Sequence, residues 1–138
     1  MRYVLFLAAV ACGTASTPST PSSPAPGAAK QAPAGPRSDT DIAGLEKALA
    51  DGAQLIDVRT EGEFAAGHVP GAVNVPLGFT LADPAIQALD DGAPVYVICQ
   101  SGGRSARAAD QLSAGGFAAV NITGGTGAWR SSGREIAK

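Results

Sequence analysis

Residues 38–138 are predicted to form an α/β domain with a mainly parallel sheet. Two patterns in the sequence predict this class. Short apolar runs alternate along the chain with stretches of helical spacing, as they do when strands and helices succeed one another in βαβ units. The run VYVIC at residues 95–99 is apolar on both faces, which is typical of a central, parallel strand covered by helices on both sides.

The first helix is predicted from apolar residues that recur at helical spacing between Ile42 and Leu49. Asp39 or Thr40 can cap its start, because a short polar side chain there accepts a hydrogen bond from a free N–H group. Gly52 is expected to end the helix, since glycine commonly follows the last helical turn.

Two short strands with a helix between them follow in the sequence. Residues 54–58 (QLIDV) are predicted to form an apolar strand. Thr60 and Glu63 have the spacing of a capping box, so a short helix is expected to begin there and to end near Gly67. Residues 72–75 (AVNV) are predicted to form the second strand.

Proline and glycine delimit the remaining elements. Asp83 can cap a helix whose first residue is Pro84 and which runs to about Asp90. The later elements are the strand 95–99, the helix 104–114 and the strand 118–122. Gly115 is expected to end the helix 104–114. The tail contains Trp129, which is expected to pack in the core.

Charge and composition exclude several classes of function. The chain contains 10 basic and 12 acidic residues; residues 38–138 contain 7 of the bases and all 12 acids, a net charge of −5. No nucleic-acid partner is predicted, because such a surface needs clustered lysine and arginine. The chain has only two cysteines, Cys12 and Cys99, and one histidine, His68. These counts argue against a metal site built from cysteine and histidine, and none is predicted.

The first twelve residues have the pattern of an export signal. Arg2 precedes a run of nine apolar residues, too short for a membrane span of about 20 residues. The sequence AVAC, which ends at Cys12, resembles a bacterial lipobox, although Ala9 stands where leucine is more usual. The resemblance implies that residues 1–12 are a signal peptide and that Cys12 becomes lipidated. A simply cleaved signal, an uncleaved anchor and an ordinary domain start are the alternatives.

Residues 13–37 are predicted to be a disordered tether. Six of them are prolines and most of the rest are Ser, Thr, Ala and Gly, so the segment lacks the apolar side chains of a core. A proline-rich chain of this length reaches up to about 75 Å, at roughly 3 Å per residue. Lipid anchor and tether together predict an exported protein held at a membrane, in the periplasm or at the cell surface. Gly13 after Cys12 favours the outer membrane in a Gram-negative cell.

Cys99 lies between the strand expected to be most central and a helix. Ligands bind beyond the carboxyl ends of parallel strands, and the free N–H groups at a helix start stabilise an anion. Gly102 and Gly103 let the loop curl so that successive N–H groups point inward, and Arg104 and Arg107 add positive charge. The residues therefore favour a thiolate nucleophile in a cradle for a small oxyanion. A buried structural thiol is the alternative.

Three motifs make this domain similar to rhodanese-like domains. DVRTEGEFAAGHVPGAVNVPL (57–77) resembles the family signature of Asp-x-Arg, Glu-x-aromatic and Gly-His-(Ile/Val)-Pro-Gly-Ala. CQSGGRS (99–105) resembles the active loop Cys-x-x-Gly-x-Arg-Ser, and GGTGAW (124–129) resembles the closing segment. The motifs keep the order they have in the family and cover nearly all of residues 38–138.

The resemblance implies a rhodanese fold, a parallel five-stranded sheet wrapped by helices, and the activity of a sulfurtransferase. In that family the cysteine thiolate takes sulfur from a donor such as thiosulfate, forms a persulfide, and gives the sulfur to a thiophilic acceptor such as cyanide or a thiol. Carried over, Cys99 is the nucleophile. The cradle that would stabilise the persulfide and the donor consists of Gln100, Ser101, Gly102, Gly103 and Arg104. No metal or organic cofactor is implied.

Loop length separates two branches of the resemblance. Related phosphatases and arsenate reductases have five residues between cysteine and arginine, whereas four separate Cys99 from Arg104, and the shorter loop favours sulfur over phosphate. Gln100 is neutral where some family members carry arginine or lysine, so the pocket is expected to be less positive. A module that binds a partner or senses redox state without turnover is a further alternative, against which the presence of the cysteine argues.

Residues outside the loop are expected to support it. Asp57 and Arg59 follow a strand, and we expect them to fix the loop by ion pairs rather than to do chemistry. Arg104 either contacts the donor or braces the loop through a carboxylate such as Asp57 or Glu63. His68 is expected to serve its turn by hydrogen bonding rather than to act as a general base.

Overall fold

A parallel sheet of five strands lies at the centre of the structure, a computed structural model that describes residues 36–138. The strands are β1 (Ser38–Thr40), β2 (Gln54–Asp57), β3 (Val73–Asn74), β4 (Val95–Ile98) and β5 (Ala119–Ile122). Their order is β1-β5-β4-β2-β3, and every neighbouring pair is parallel. The predicted fold class is confirmed. The predicted signal peptide with Cys12, and the predicted tether up to residue 35, lie outside the described residues.

In the part of the chain that the structure describes, four helices connect successive strands, and a fifth follows the last strand. They are α1 (Ile42–Ala50), α2 (Glu61–Ala65), α3 (Pro84–Gln87), α4 (Gly103–Ala114) and α5 (Gly125–Ser131). Two predicted helix starts are confirmed: Thr60 and Glu63 form both bonds of a capping box, and Asp83 caps α3 ahead of Pro84. Within residues 36–138, none of the helices is both long enough and apolar enough to cross a bilayer.

Helices cover both faces of the sheet, because side chains along each strand point alternately to opposite faces. On one face, Val97 and Cys99 belong to a buried cluster with Leu112 of α4. On the opposite face, Ile98 belongs to a second buried cluster with Trp129 of α5. The expectation that Trp129 packs in the core is therefore confirmed.

The strand order places Cys99 in the middle of the row of strand ends, on the side of the sheet where the strands finish. β4 is the third of the five strands, so the prediction that it is central is confirmed. Cys99 follows directly after β4, at its carboxyl end. The loops that follow β2 and β5 leave the same edge, because all the strands are parallel. The fold thus brings three loops together around the cysteine.

The start of the domain differs from the prediction. Asp39 and Thr40, expected as helix caps, belong to β1, and Asp41 caps α1 by accepting a hydrogen bond from the Gly44 N–H at 2.8 Å. The three residues of β1 are polar and carry no strand pattern. They are extended because they pair with β5, which follows about eighty residues later in the chain.

Two helices also differ from the prediction. α5 was not predicted, because it begins with two glycines of positive φ, Gly124 at its cap and Gly125, and glycine disfavours helices. Burial of Trp129, whose indole N–H donates to the Glu135 carbonyl at 2.8 Å, stabilises it. α3 ends at Gln87, short of the predicted end near Asp90.

Candidate active site

The Cys99 side chain lies inside the loop that joins β4 to α4. Only 1% of the residue is exposed. Its Sγ accepts hydrogen bonds from the Gly102 N–H at 3.1 Å and from the Ser105 hydroxyl at 3.3 Å. Gly102 has φ of +108° and is the cap of α4, so the turn that aims this N–H at the sulfur uses a conformation that favours glycine. Of the five residues predicted to form the cradle, Gly102 donates directly to the sulfur in this geometry.

The first turn of α5 supports this loop from behind. The Thr126 N–H donates to the Cys99 carbonyl at 2.8 Å, and the Gly127 N–H donates to the Gln100 carbonyl at 3.0 Å. A Cβ on Gly125 would collide with the Cys99 carbonyl oxygen, so only glycine permits this approach. With their carbonyls held behind the loop, its N–H groups face the sulfur. This contact is a physical reason for the GGTGAW motif.

Two opposing effects set the pKa of the Cys99 thiol. Burial raises the pKa, because an apolar environment disfavours the thiolate. The Ser105 hydroxyl and the backbone N–H groups of Ser105, Ser101 and Gly102 donate hydrogen bonds that lower it. Together the hydrogen bonds outweigh burial, so the pKa lies below the ordinary cysteine value. The site therefore favours the thiolate, which is the nucleophilic form.

Arg104 binds Glu63 rather than facing an empty pocket. Its two terminal nitrogens each donate to one carboxylate oxygen of Glu63 at 2.8 Å, and both side chains are 36% exposed. This bidentate pair, together with the Thr60 N–H, lowers the pKa of Glu63 to about 2. Of the two roles considered for Arg104, the geometry matches bracing, with Glu63 as the carboxylate. The pair joins α4 to α2.

Asp57 and Arg59 form a buried ion pair with each other. Arg59 Nη2 lies 2.6 Å from Asp57 Oδ2, and it also donates to the Gly67 carbonyl at 2.9 Å. Both side chains are at most 2% exposed. Contrary to the expectation that they fix the cysteine loop, they hold the connection from β2 to the turn after α2. Arg59 follows Asp57 by two residues, so its guanidinium can fold back onto the Asp57 carboxylate.

His68 lies in its turn, as expected. Its Nδ1 is 3.0 Å from the Phe64 carbonyl, and its ring stacks on the Phe64 ring with centroids 3.7 Å apart. Its backbone pairs with Ala137 near the end of the chain. These contacts tie the tail to the end of α2.

Gln100 and Ser101 occupy the mouth of the loop. Both are exposed, as is Gly103, whereas the sulfur beneath them is buried. A small donor or acceptor would thus meet a neutral amide and a hydroxyl at the entrance. The positive charge of Arg104 is already shared with Glu63. The expectation of a weakly positive pocket agrees with this arrangement.

Sequence reasoning missed two polar residues close to the cysteine. The Ser105 hydroxyl contacts Cys99 Sγ and lies 2.6 Å from Asn121 Oδ1, and Asn121 is buried in β5. Ser105 closes the CQSGGRS motif, which is a signal that could have drawn attention to it. Asn121 is a polar residue inside an otherwise apolar strand, and such residues are buried only with hydrogen-bond partners.

These features define the chain as a parallel α/β domain that holds a buried cysteine in a loop at a helix N-terminus. A family model described as "Rhodanese-like domain" matches residues 41–132, more than half of the chain. The chain belongs to this family.

Individual relatives agree with that assignment. The chain is 44% identical over 78 residues to the uncharacterized protein YqhL of Bacillus subtilis. The match spans 56% of this chain and 60% of YqhL, which is less than two thirds of that relative's length. It is 40% identical over 82 residues to the thiosulfate sulfurtransferase GlpE of Pseudomonas fluorescens, spanning 59% of this chain and 73% of GlpE. A solved rhodanese-related protein from Thermoplasma volcanium superposes with a TM-score of 0.64 at 29% identity, covering 73% of this chain and 97% of that one.

Proposed function

We propose that this protein is a sulfurtransferase that moves sulfane sulfur from a donor such as thiosulfate to a thiophilic acceptor through a persulfide on Cys99. One observation carries the proposal: the Cys99 sulfur is buried in a loop whose hydrogen-bond donors converge on it at 3.1 to 3.3 Å. The similarity to GlpE supports it. Cyanide or a thiol is the acceptor.

Sulfur transfer proceeds in two displacement steps. The Cys99 thiolate attacks the outer sulfur of thiosulfate, the S–S bond of the donor breaks, and sulfite leaves with the electron pair of that bond. Cys99 now carries one additional sulfur as a persulfide anion. The acceptor then attacks this outer sulfur, the bond between the two sulfurs breaks, and Cys99 leaves as a thiolate. Electrons and atoms balance without any other oxidant, reductant or cofactor.

The loop supplies the electrostatic part of this mechanism. The N–H groups of Ser101, Gly102 and Ser105 favour negative charge on Cys99 Sγ, and Arg104 attracts it from a greater distance. An anion in such a cradle is stabilised by dipoles that are already oriented. The same donors are available to the persulfide anion after the first step.

The size of the loop supports sulfur rather than phosphate as the cargo. Four residues separate Cys99 from Arg104, one fewer than in the related phosphatases and arsenate reductases. Arg104 is held by Glu63 in a bidentate pair and is not turned toward a phosphate-sized ligand. A donor therefore meets backbone N–H groups rather than a free guanidinium.

Export completes the proposal. The AVAC sequence at Cys12 and the proline-rich residues 13–37 support a lipid-anchored protein that works in the periplasm or at the cell surface. The rhodanese-like domain would then act on sulfur compounds outside the cytoplasm, at the end of a tether.

A matched pair of cysteine variants tests the reaction. The full chain, incubated with thiosulfate and cyanide, is expected to form thiocyanate. Cys99→Ser should reduce this rate to the uncatalysed background, whereas Cys12→Ser, which removes the other cysteine, should leave it unchanged. Thiocyanate formation by Cys99→Ser at the wild-type rate would refute the proposed role of Cys99. Hydrolysis of a phosphate ester in place of sulfur transfer would favour the phosphatase reading.

A further inference from the structure

Side-chain hydrogen bonds lead from Cys99 to the surface of the domain. Cys99 Sγ is 3.3 Å from the Ser105 hydroxyl, which is 2.6 Å from Asn121 Oδ1, and Asn121 Nδ2 donates to Asp39 Oδ1 at 2.7 Å. Asp39 is exposed and pairs with Arg37 at 3.4 Å. A buried nucleophile is thus connected through two neutral side chains to a surface carboxylate.

The strand register brings these groups together. Asn121 on β5 pairs with Asp39 on β1, on one side, and with Val97 on β4, on the other. Val97 and Cys99 lie two residues apart and point to the same face, on which the first turn of α4 brings Ser105. Asn121 is only 4% exposed, so its amide relies on these partners.

The groups around Ser105 compete for the single proton of its hydroxyl. The Ser105 hydroxyl has one proton but three acceptors within reach: Cys99 Sγ, Asn121 Oδ1 and the Gly102 carbonyl at 3.1 Å. The Asp39 carboxylate only accepts, so it fixes the Asn121 amide with nitrogen toward itself and oxygen toward Ser105. The contact to Asn121 is the shortest of the three, so Asn121 competes with the sulfur for this proton.

The two protonation states of Cys99 need different positions of this proton. A Cys99 thiol can donate to Ser105 Oγ while Ser105 donates to Asn121, and every group is then paired. A thiolate cannot donate, and a hydrogen bond from Ser105 to the sulfur, in addition to that from the Gly102 N–H, leaves Asn121 Oδ1 buried without a donor. An unpaired buried acceptor is unfavourable.

We propose that Asn121 and Asp39 are positioning residues that restrain formation of the Cys99 thiolate, because Asn121 competes with the sulfur for the proton of the Ser105 hydroxyl. Removing the restraint should make the thiolate form more easily. Its importance for catalysis rests on the proposed sulfurtransferase function. There it would matter in both steps, because a thiol of lower pKa is a weaker nucleophile but a better leaving group.

Other charged groups also act on these residues and set the controls. Two ion pairs lie on the elements around Cys99: Arg104 with Glu63, and Asp57 with Arg59. Arg107 is exposed on α4. Arg37 pairs with both Asp39 and Asp110. Asp110 is an exposed carboxylate on α4 that shares Arg37 with Asp39, at 2.6 Å, but does not touch Asn121. It is therefore a matched control for the loss of charge at Asp39.

The test is the pH dependence of alkylation of Cys99 by iodoacetamide, in full-length Cys12→Ser protein so that one thiol reacts. Asn121→Leu, which keeps the shape of the side chain but removes its oxygen, should lower the thiol pKa. Below that pKa the alkylation rate should rise about fivefold, the size of one net hydrogen bond. Ser105→Ala should raise the pKa, and adding Asn121→Leu to Ser105→Ala should change nothing further. An unchanged or raised pKa in Asn121→Leu, or the same shift in both backgrounds, would overturn the proposal.

A surface variant provides a second test if Asn121→Leu does not fold. Asp39→Ala frees the Asn121 amide to turn and should speed alkylation more than Asp110→Ala, which removes an equal charge. Equal effects of the two variants would mean that charge alone is responsible and would refute the proposal. Alkylation does not require sulfur transfer, so failure here is distinct from failure of the thiocyanate assay.

Discussion

At the scale of single residues, Cys99 combines burial with hydrogen bonds to its sulfur. An apolar pocket alone would favour the thiol, and an exposed loop alone would leave the thiolate open to oxidation. In this domain backbone N–H groups and the Ser105 hydroxyl donate to the sulfur of a residue that is 1% exposed. The proposed nucleophile is thus a buried thiol whose pKa is lowered by hydrogen bonds.

Glu63 gives a prediction about acid stability at this scale. Its pKa is about 2 in the folded protein, below its usual 4.5, because Arg104 and Thr60 bind the carboxylate. A lowered folded-state pKa stabilises the fold at pH values above the usual pKa, and this contribution is lost as pH falls from about 4.5 toward 2. We expect Glu63→Gln to make stability less dependent on pH in that window.

The measurement is urea unfolding of the wild type and of Glu63→Gln at a series of acidic pH values. Glu61→Gln is the control, because Glu61 lies on the same helix, is exposed and takes part in none of the ion pairs among residues 36–138. Equal pH dependence in wild type and Glu63→Gln would show that the Arg104 pair does not stabilise the carboxylate in solution.

At the scale of elements, the closing segment acts on the active loop. α5 is a short helix with weak helical propensity, yet its first turn binds two carbonyls of the loop that carries Cys99. The local sequence could not predict this helix, because its stability comes from Trp129 in the core and from these contacts. The same is true of β1, which is extended only through its pairing with β5.

Alanine variants of two glycines with positive φ can distinguish the effect of backbone strain from that of a steric collision. Gly125 and Gly133 have φ of +56° and +74°, but a Cβ would strike the loop backbone only at Gly125, since nothing lies within 4 Å at Gly133. We expect Gly133→Ala to cost about 1 kcal/mol of unfolding free energy from strain. Gly125→Ala should cost about 2 to 4 kcal/mol, because collision adds to strain.

Denaturant unfolding measures the difference, and the thiocyanate assay shows its effect on the loop. Gly125→Ala should also slow sulfur transfer, because it displaces the Cys99 carbonyl, while Gly133→Ala should retain the wild-type rate. Similar losses of stability and activity in both variants would contradict a supporting contact between α5 and the loop.

At the scale of the whole molecule, the sequence predicted the fold class, the central strand and the cysteine loop. These are encoded locally: apolar runs, caps, glycines and the CQSGGRS motif each lie within a few residues. The Asp39–Asn121–Ser105 chain was not predictable, because Asp39 and Asn121 meet only through pairing between strands 82 positions apart. The Asp57–Arg59 pair was not predicted, because both charges were expected to fix the cysteine loop, whereas they bind each other.

The proposed anchor makes a prediction about the whole chain. Cells that express the protein and are fed a labelled fatty acid should incorporate the label into it, and Cys12→Ser should abolish incorporation, since the lipobox cysteine is the acceptor. Cys99→Ser should still be labelled and is the matched control. Label that persists in Cys12→Ser, or is absent from the wild type, would contradict lipidation at Cys12.

The central claim, that Cys99 carries the transferred sulfur, is tested most directly by intact mass. Cys12→Ser protein, in which Cys99 is the one remaining thiol, is incubated with thiosulfate, freed of donor and weighed by mass spectrometry. The protein should gain one sulfur atom, which should be lost on adding cyanide and should not be gained by the double variant Cys12→Ser/Cys99→Ser. The claim would be contradicted if the protein gained sulfur neither from thiosulfate nor from glutathione persulfide.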